Sequence, residues 1–205
     1  MRRAARIAAA VALLTPITAW AVDVSNDSIT CNAVIASTIS FSPGLVLGGS
    51  GTAARTVKVK GTVAGCVDTT QPGTKIKSGK FSAVLTGTTS NDCEGFLLNS
   101  VPLTGTMSIK WKADSTTPIT PLSSTVTITA YAPAGAIGTP WSAAYLQFGL
   151  SSTGVTGAFT GGDAGASSSN ALVISQDGDN ALSQGCAATG GLKKLNIGLG
   201  QLILG

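Results

Sequence analysis

The chain has no histidine, and this absence removes more chemistry than any other feature of its composition. Histidine is the usual general base near neutral pH and the commonest metal ligand, so a Ser-His-Asp triad, a Cys-His nucleophile and a zinc hydrolase site are all excluded. Charge is scarce, at 11% of residues, aromatics are scarcer, at 5%, and Glu94 is the only glutamate. Beyond the N-terminal segment no stretch approaches the roughly 18 uninterrupted apolar residues that a membrane-spanning helix needs, so no membrane span is expected. No glycine-rich phosphate loop or dinucleotide fingerprint occurs in a strand-to-helix context. Neither a cofactor nor a metal site is expected, and no residue is assigned a catalytic role.

What is present begins with an export signal. Met1, Arg2, Arg3 and Arg6 precede the apolar run Ile7 to Leu14, and small residues at Ala19 and Ala21 flank Trp20 just before Val22-Asp23. This is the order of a signal peptide, with residues 1–21 removed after Ala21. The arginine pair raises a twin-arginine route, but the aromatic or leucine pair expected soon after it is missing, which favours general export. Residues 22–205 then make one secreted or envelope-associated domain, long enough to bury roughly 70% of its unfolded surface. Removing the signal also changes the charge. The whole chain carries +4, yet three of its thirteen basic residues lie in the signal and all nine acids lie downstream, so the remainder is nearly neutral at +1.

Gly, Ser, Thr, Ala and Val dominate, and β-branched residues bounded by Gly, Pro, Asn and Asp recur throughout. Alternation is clearest in Thr56 to Val63, Met107 to Lys112 and Thr125 to Thr129, each of which buries every second residue. Further strands are expected over Ile29–Phe41, Lys75–Leu85, Ala144–Leu150, Val155–Phe159, Ala171–Ser175 and Leu192–Leu204. Breaks are expected at Ser42-Pro43-Gly44, Gly48 to Gly51, Gln71-Pro72-Gly73, Pro118 to Pro121, Pro133 to Pro140 and Gly161 to Ser169. The fold class is therefore all-β: an antiparallel sandwich or a closed barrel of about eight to ten short strands.

In an exported chain the four cysteines, Cys31, Cys66, Cys93 and Cys186, form two disulfides with three conceivable pairings. If the strand ending at Cys66 makes a long hairpin with Lys75–Leu85, Cys93 lies roughly 30 Å away at the opposite end, too far for a bridge. Cys31 at the start of one strand and Cys66 at the end of an antiparallel neighbour fall at the same edge. That leaves Cys93 with Cys186. The pattern lacks the Cys-x-x-Cys spacing of a redox site.

Weak catalytic candidates exist. Asp92 and Glu94 could in principle run carboxylate-dependent hydrolysis, but they flank a disulfide cysteine in a turn. Ser78 with Lys80 and Ser108 with Lys110 imitate a serine-lysine pair at a spacing that chance supplies in a serine-rich chain. Asp177-Gly178-Asp179-Asn180 resembles a fragment of a calcium loop without its remaining ligands and reads as a turn.

The feature that rises above this background is lysine. Eight basic residues and three acids lie between Arg55 and Lys112, a local +5 in a nearly neutral domain. Alternation places Lys58 and Lys60 outside while Val57 and Val59 face inward, and likewise Lys75 and Lys77 around Ile76, and Lys110 and Lys112 around Trp111. If these strands are neighbours, six lysines share an exposed face. Such a face invites an anionic partner: a cell-wall polymer, an acidic polysaccharide or a lipid surface. Nucleic acid is disfavoured because it calls for exposed aromatics on which bases stack, and alternation points Trp111 inward. If the strands are separated, each lysine merely solubilises its own face or guards an edge.

The segments Ile39 to Leu45, Val57 to Cys66, Ile109 to Ala113 and Gly191 to Leu195 together resemble a group of secreted proteins of high-GC Gram-positive bacteria. No activity is assigned to that group, so the resemblance implies an exported, disulfide-bonded β-domain and carries over no functional residue. Three functions compete: a non-catalytic domain binding an anionic polymer or surface through its lysines, a structural or self-assembling surface protein, and a carboxylate-dependent hydrolase.

Overall fold

The computed structural model describes residues 20–93, 95, 102–137, 145–161, 171–176 and 184–205. Their elements are nearly all strands: β1 (Val22–Asp23), β2 (Ile29–Leu45), β3 (Thr52–Asp68), β4 (Ile76–Ser90), β5 (Thr104–Ala113), β6 (Ile119–Thr120), β7 (Ser123–Ile137), β8 (Tyr145–Gly157), β9 (Ala171–Gln176) and β10 (Leu192–Leu204). Eight of them form one antiparallel sheet in the order β8-β7-β5-β4-β3-β2-β10-β9, and β1 pairs with β6 in a small parallel sheet. The sheet curls until its end strands, β8 and β9, lie close together, but among the described residues no ladder joins them. The architecture is sandwich-like, not a closed barrel.

The strands are not short. β2 and β3 each run for 17 residues and β4 for 15, well beyond the usual range. Ser42-Pro43-Gly44, expected to break the chain, lies within β2, and Pro133 lies within β7 opposite Phe148. The two strands expected from Ala144 to Phe159 are a single one, β8. Bulges explain the continuity. β2 slips by one residue against β3 between Ile35 and Thr38, where Ala36 takes a positive φ of 48°, and β7 slips against β8 on either side of Ile128 and again between Pro133 and Gly135. Each bulge absorbs local twist and lets pairing resume.

Alternation sorts the sheet into two faces. Val57, Val59 and Val63 of β3, Phe81, Ala83 and Leu85 of β4, and Met107, Ile109 and Trp111 of β5 all point into one continuous core. Trp111 anchors it. Its Nε1 donates to Ser124 Oγ at 2.8 Å, Ser124 Oγ donates to the Ala158 carbonyl, and the Phe159 ring meets the indole edge-on at 5.1 Å. The indole thus buries its bulk without leaving its N–H unpaired. The small sheet caps one end: Val24 N donates to Thr120 O and Phe159 N donates to Val24 O, which brings Val24, Ile119 and Phe159 into the same core.

The disulfides are Cys31–Cys66 and Cys93–Cys186, as the strand geometry predicts. Cys31 and Cys66 are direct partners in the β2–β3 register, with Cα atoms 3.9 Å apart. Cys93 follows β4 and reaches Cys186, in a single helical turn at 184–187, across a Cα separation of 6.1 Å. The Val46 backbone lies beside this bridge, its carbonyl accepting from Cys93 N, while Leu47 N donates to the Cys186 carbonyl.

Candidate functional site

The three lysine-bearing strands are adjacent, with β4 between β3 and β5. Their ladders hold constant register over the relevant stretch, so positions on the outer face can be followed row by row. Lys58 stands opposite Ser40 on β2 and Val84 on β4. In the next outer row Lys60 stands between Thr38 and Ser82, and Ser82 faces Ser108. One row further, Thr62 faces Lys80, which faces Lys110 directly. Ala64, Ser78 and Lys112 make the last row. Lys58, Lys60, Lys80, Lys110 and Lys112 are all exposed.

Two of the six lysines expected on this face do not stand in its rows. Ile76 is buried opposite Ala113, and a bulge between Ile76 and Ser78 shifts the register there, so Lys75 and Lys77 lie at the end of the sheet beyond it. The charge of Lys77 is met by Asp114 Oδ2 at 3.4 Å. Thr116 donates to the same carboxylate from its backbone and its hydroxyl, and these bonds, with Lys77, hold Asp114 at a pKa of about 2.

Two lysines that the sequence reading did not place there belong to the face. Lys80 was legible, because Phe81, Ala83 and Leu85 alternate inward and force Lys80 outward, but Ile76 set the wrong phase before the bulge. Lys194 was not, since it lies more than eighty residues further along the chain. On β10 it pairs with Ser40, whose other neighbour is Lys58, and its side chain is exposed. No outer-face position of β2, β3, β4, β5 or β10 carries an acid. The only acid in these strands is Asp68, buried at the end of β3. The face is otherwise hydroxyl-rich, and the aromatics of these strands, Phe41, Phe81 and Trp111, are all buried.

The catalytic candidates fare differently. The Asp92 carboxylate accepts from Gly95 N at 2.7 Å and its backbone N–H donates to Ser90 Oγ, so it caps the turn that carries Cys93. Glu94 and Asp177 to Asn180 lie outside the described residues. Ser78, Lys80, Ser108 and Lys110 stand on the open outer face. Among the described residues no group of three His, Cys, Asp or Glu side chains could hold a metal ion, and no helix is long and apolar enough to cross a membrane.

A second polar cluster went unnoticed in the sequence. Asp27 and Asp68 are buried beside each other, and Gln71 Nε2 donates to Asp27 Oδ2 at 2.7 Å and to the Asp23 carbonyl. Burial, and then the neighbouring Asp68, pushes the Asp27 carboxyl above its ordinary value. Asp68 Oδ1 accepts from the backbone of Thr70 and Gln71. The cluster ties the N-terminal loop to the β3–β4 turn.

Comparison with protein-family models, with curated proteins and with solved structures finds no match.

Proposed function

We propose that this protein is a non-catalytic domain acting outside the cytoplasm, where its lysine-bearing face holds an anionic polymer or surface. One observation carries the reading: five exposed lysines fall on three neighbouring strands whose outer positions include no acid, and Lys80 faces Lys110 directly. Like charges opposite one another cost sheet stability. A partner that neutralises them removes the cost, whereas lysines that only confer solubility would be better dispersed. The N-terminal export pattern and the two disulfides agree with an oxidising compartment. Self-assembly through strand edges is the competing reading; the end strands β8 and β9 lie close together without a ladder between them among the described residues, so a second copy would have to enter that narrow gap to pair with either edge.

The test is retention of the protein on an immobilised polyanion across a salt series. An exposed charge contact weakens as salt rises between roughly 50 and 500 mM, because the screening length shortens from above 10 Å to a few Å. Retention that is indifferent to salt, or absent at low salt, overturns the reading.

A further inference from the structure

The lysines do not fill the face evenly. Lys194, Lys58, Lys60, Lys80, Lys110 and Lys112 step across β10, β2, β3, β4 and β5 while also advancing along the strands. Lys194 and Lys58 share one row, two strands apart, and Lys60 is the next outer position on β3. Lys80 lies one strand over and one outer row on, with Lys110 beside it and Lys112 beyond. At ~4.8 Å between strands and ~3.3 Å per residue, the four strand steps and six residues of advance make a diagonal of ~28 Å. Successive ammonium groups are rooted roughly 5 to 10 Å apart. Hydroxyls border the line: Ser40 between Lys194 and Lys58, Ser82 beside Lys60, Thr62 beside Lys80, Ser78 beside Lys112.

Resting on the reading that this face binds an anion, we propose that the occupant is a single linear polyphosphodiester of a small acyclic polyol, laid along this diagonal. A line of charges selects a chain over a compact anion, since only a chain places successive charges at successive lysines. Rings are disfavoured because the face offers no aromatic plane: Phe41, Phe81 and Trp111 all point inward, so neither a base, ordinarily held by stacking, nor the apolar face of a sugar ring finds a flat partner there. A lipid surface is disfavoured because, among the described residues of β2, β3, β4, β5 and β10, the large apolar side chains exposed are Ile35, Val67 and Val84, each on its own and none beside another, too little to insert among acyl chains. Lysines, as compact charges on flexible stems, suit the separate phosphates of a flexible chain. The bordering serines and threonines supply hydrogen bonds to its hydroxyls and phosphate oxygens.

The experiment measures affinity of the protein for poly(glycerol phosphate) of graded length, for polygalacturonate and oligothymidylate of matched charge number, and for phosphatidylglycerol vesicles. Affinity for poly(glycerol phosphate) should climb with length until the chain spans ~28 Å and then level off. Lys80→Gln and Lys194→Gln should each weaken it roughly two- to fivefold, an exposed ion pair's contribution. Lys193→Gln should not, because the Lys193 side chain folds over Gly190 and Gly44, off the diagonal. Equal or tighter binding of polygalacturonate, oligothymidylate or vesicles overturns the assignment of the occupant while leaving the anion-binding reading intact. Lys194→Gln indistinguishable from Lys193→Gln overturns the diagonal. Failure of every polyanion to bind at low salt removes both proposals.

Discussion

Gly79→Ala tests the packing that presents the lysine face, because Gly79 lies between Ser78 and Lys80 and its inner side is roofed by Trp111. The two residues are direct partners across β4 and β5. A methyl group at Gly79 would sit 2.7 Å from Trp111 Cζ3, 2.8 Å from Cε3 and 3.0 Å from Ile109 Cγ2. Ordinary carbon contacts lie near 3.5 to 4.0 Å, so the indole would have to retreat by roughly 1 Å. It has little room to do so. Phe159 stands edge-on at 5.1 Å, and the Nε1 bond to Ser124 fixes the other end of the ring. Forcing a methylene-sized group into a packed core costs about 1 to 3 kcal/mol, offset by about 0.5 to 1 kcal/mol because alanine loses less backbone freedom than glycine in a strand. A net loss of about 1 to 2 kcal/mol lowers the melting temperature of a domain this size by roughly 2 to 8 °C. Circular dichroism and tryptophan fluorescence melts would read it. Gly73→Ala is the control, since nothing lies within 4 Å of its added carbon, and it should be neutral or slightly stabilising. Trimming the ring with Trp111→Leu should make the cost of Gly79→Ala smaller than in the parent, a non-additivity expected of groups in contact. A Gly79→Ala protein as stable as the parent would refute the packing argument.

Four other outcomes follow from the same structure. Non-reducing peptide mapping should find only Cys31–Cys66 and Cys93–Cys186. Cys93→Ser with Cys186→Ser should cost about 5 kcal/mol against about 4 for Cys31→Ser with Cys66→Ser in denaturant titrations, because the bridges span 93 and 35 residues and loop entropy grows with length; a reversed order contradicts this. Asp27 has a raised folded pKa, so the stability it lends is fully present below its ordinary value of 3.8 and is lost as pH rises through the folded value. Asp27→Asn should flatten that decline in a pH series of melts, and an unchanged profile would show that the carboxyl does not titrate there. Asp114, held at about 2 by Thr116 and Lys77, does the reverse: its contribution is present above 3.8 and fades as pH falls toward 2, and Asp114→Asn should remove the acid-side loss.

Much of this fold is written locally. Alternation in Thr56 to Val63 and Met107 to Lys112 identifies the buried face of β3 and β5 residue by residue, and the spacing of the cysteines along antiparallel strands suffices to pair them. What escapes is whatever depends on a change of phase or on distant pairing. The bulge after Ile76 re-aims β4, so a reading that counts in twos from Lys75 includes Lys77 and misses Lys80. Proline at Pro43 and Pro133 reads as a break because it removes a ladder donor, yet the strands continue through both positions. Lys194 joins Lys58 only because β10 inserts beside β2, and no local pattern announces that neighbour. The buried Asp27 and Asp68 look like surface carboxylates in sequence, since nothing in the chain between them signals their convergence.

The most direct measurement is the affinity of the double variant Lys58→Glu with Lys110→Glu for an immobilised polyanion at low salt, compared with the parent. Both positions are exposed, lie on different strands and carry no acidic neighbour in their rows, so the fold should persist. Lys110→Glu, set opposite Lys80, should even add about 0.2 to 1 kcal/mol of stability. A loss of binding of tenfold or more, with the melting temperature held or raised, is the predicted result. Undiminished binding by a folded double variant would contradict the assignment of this face.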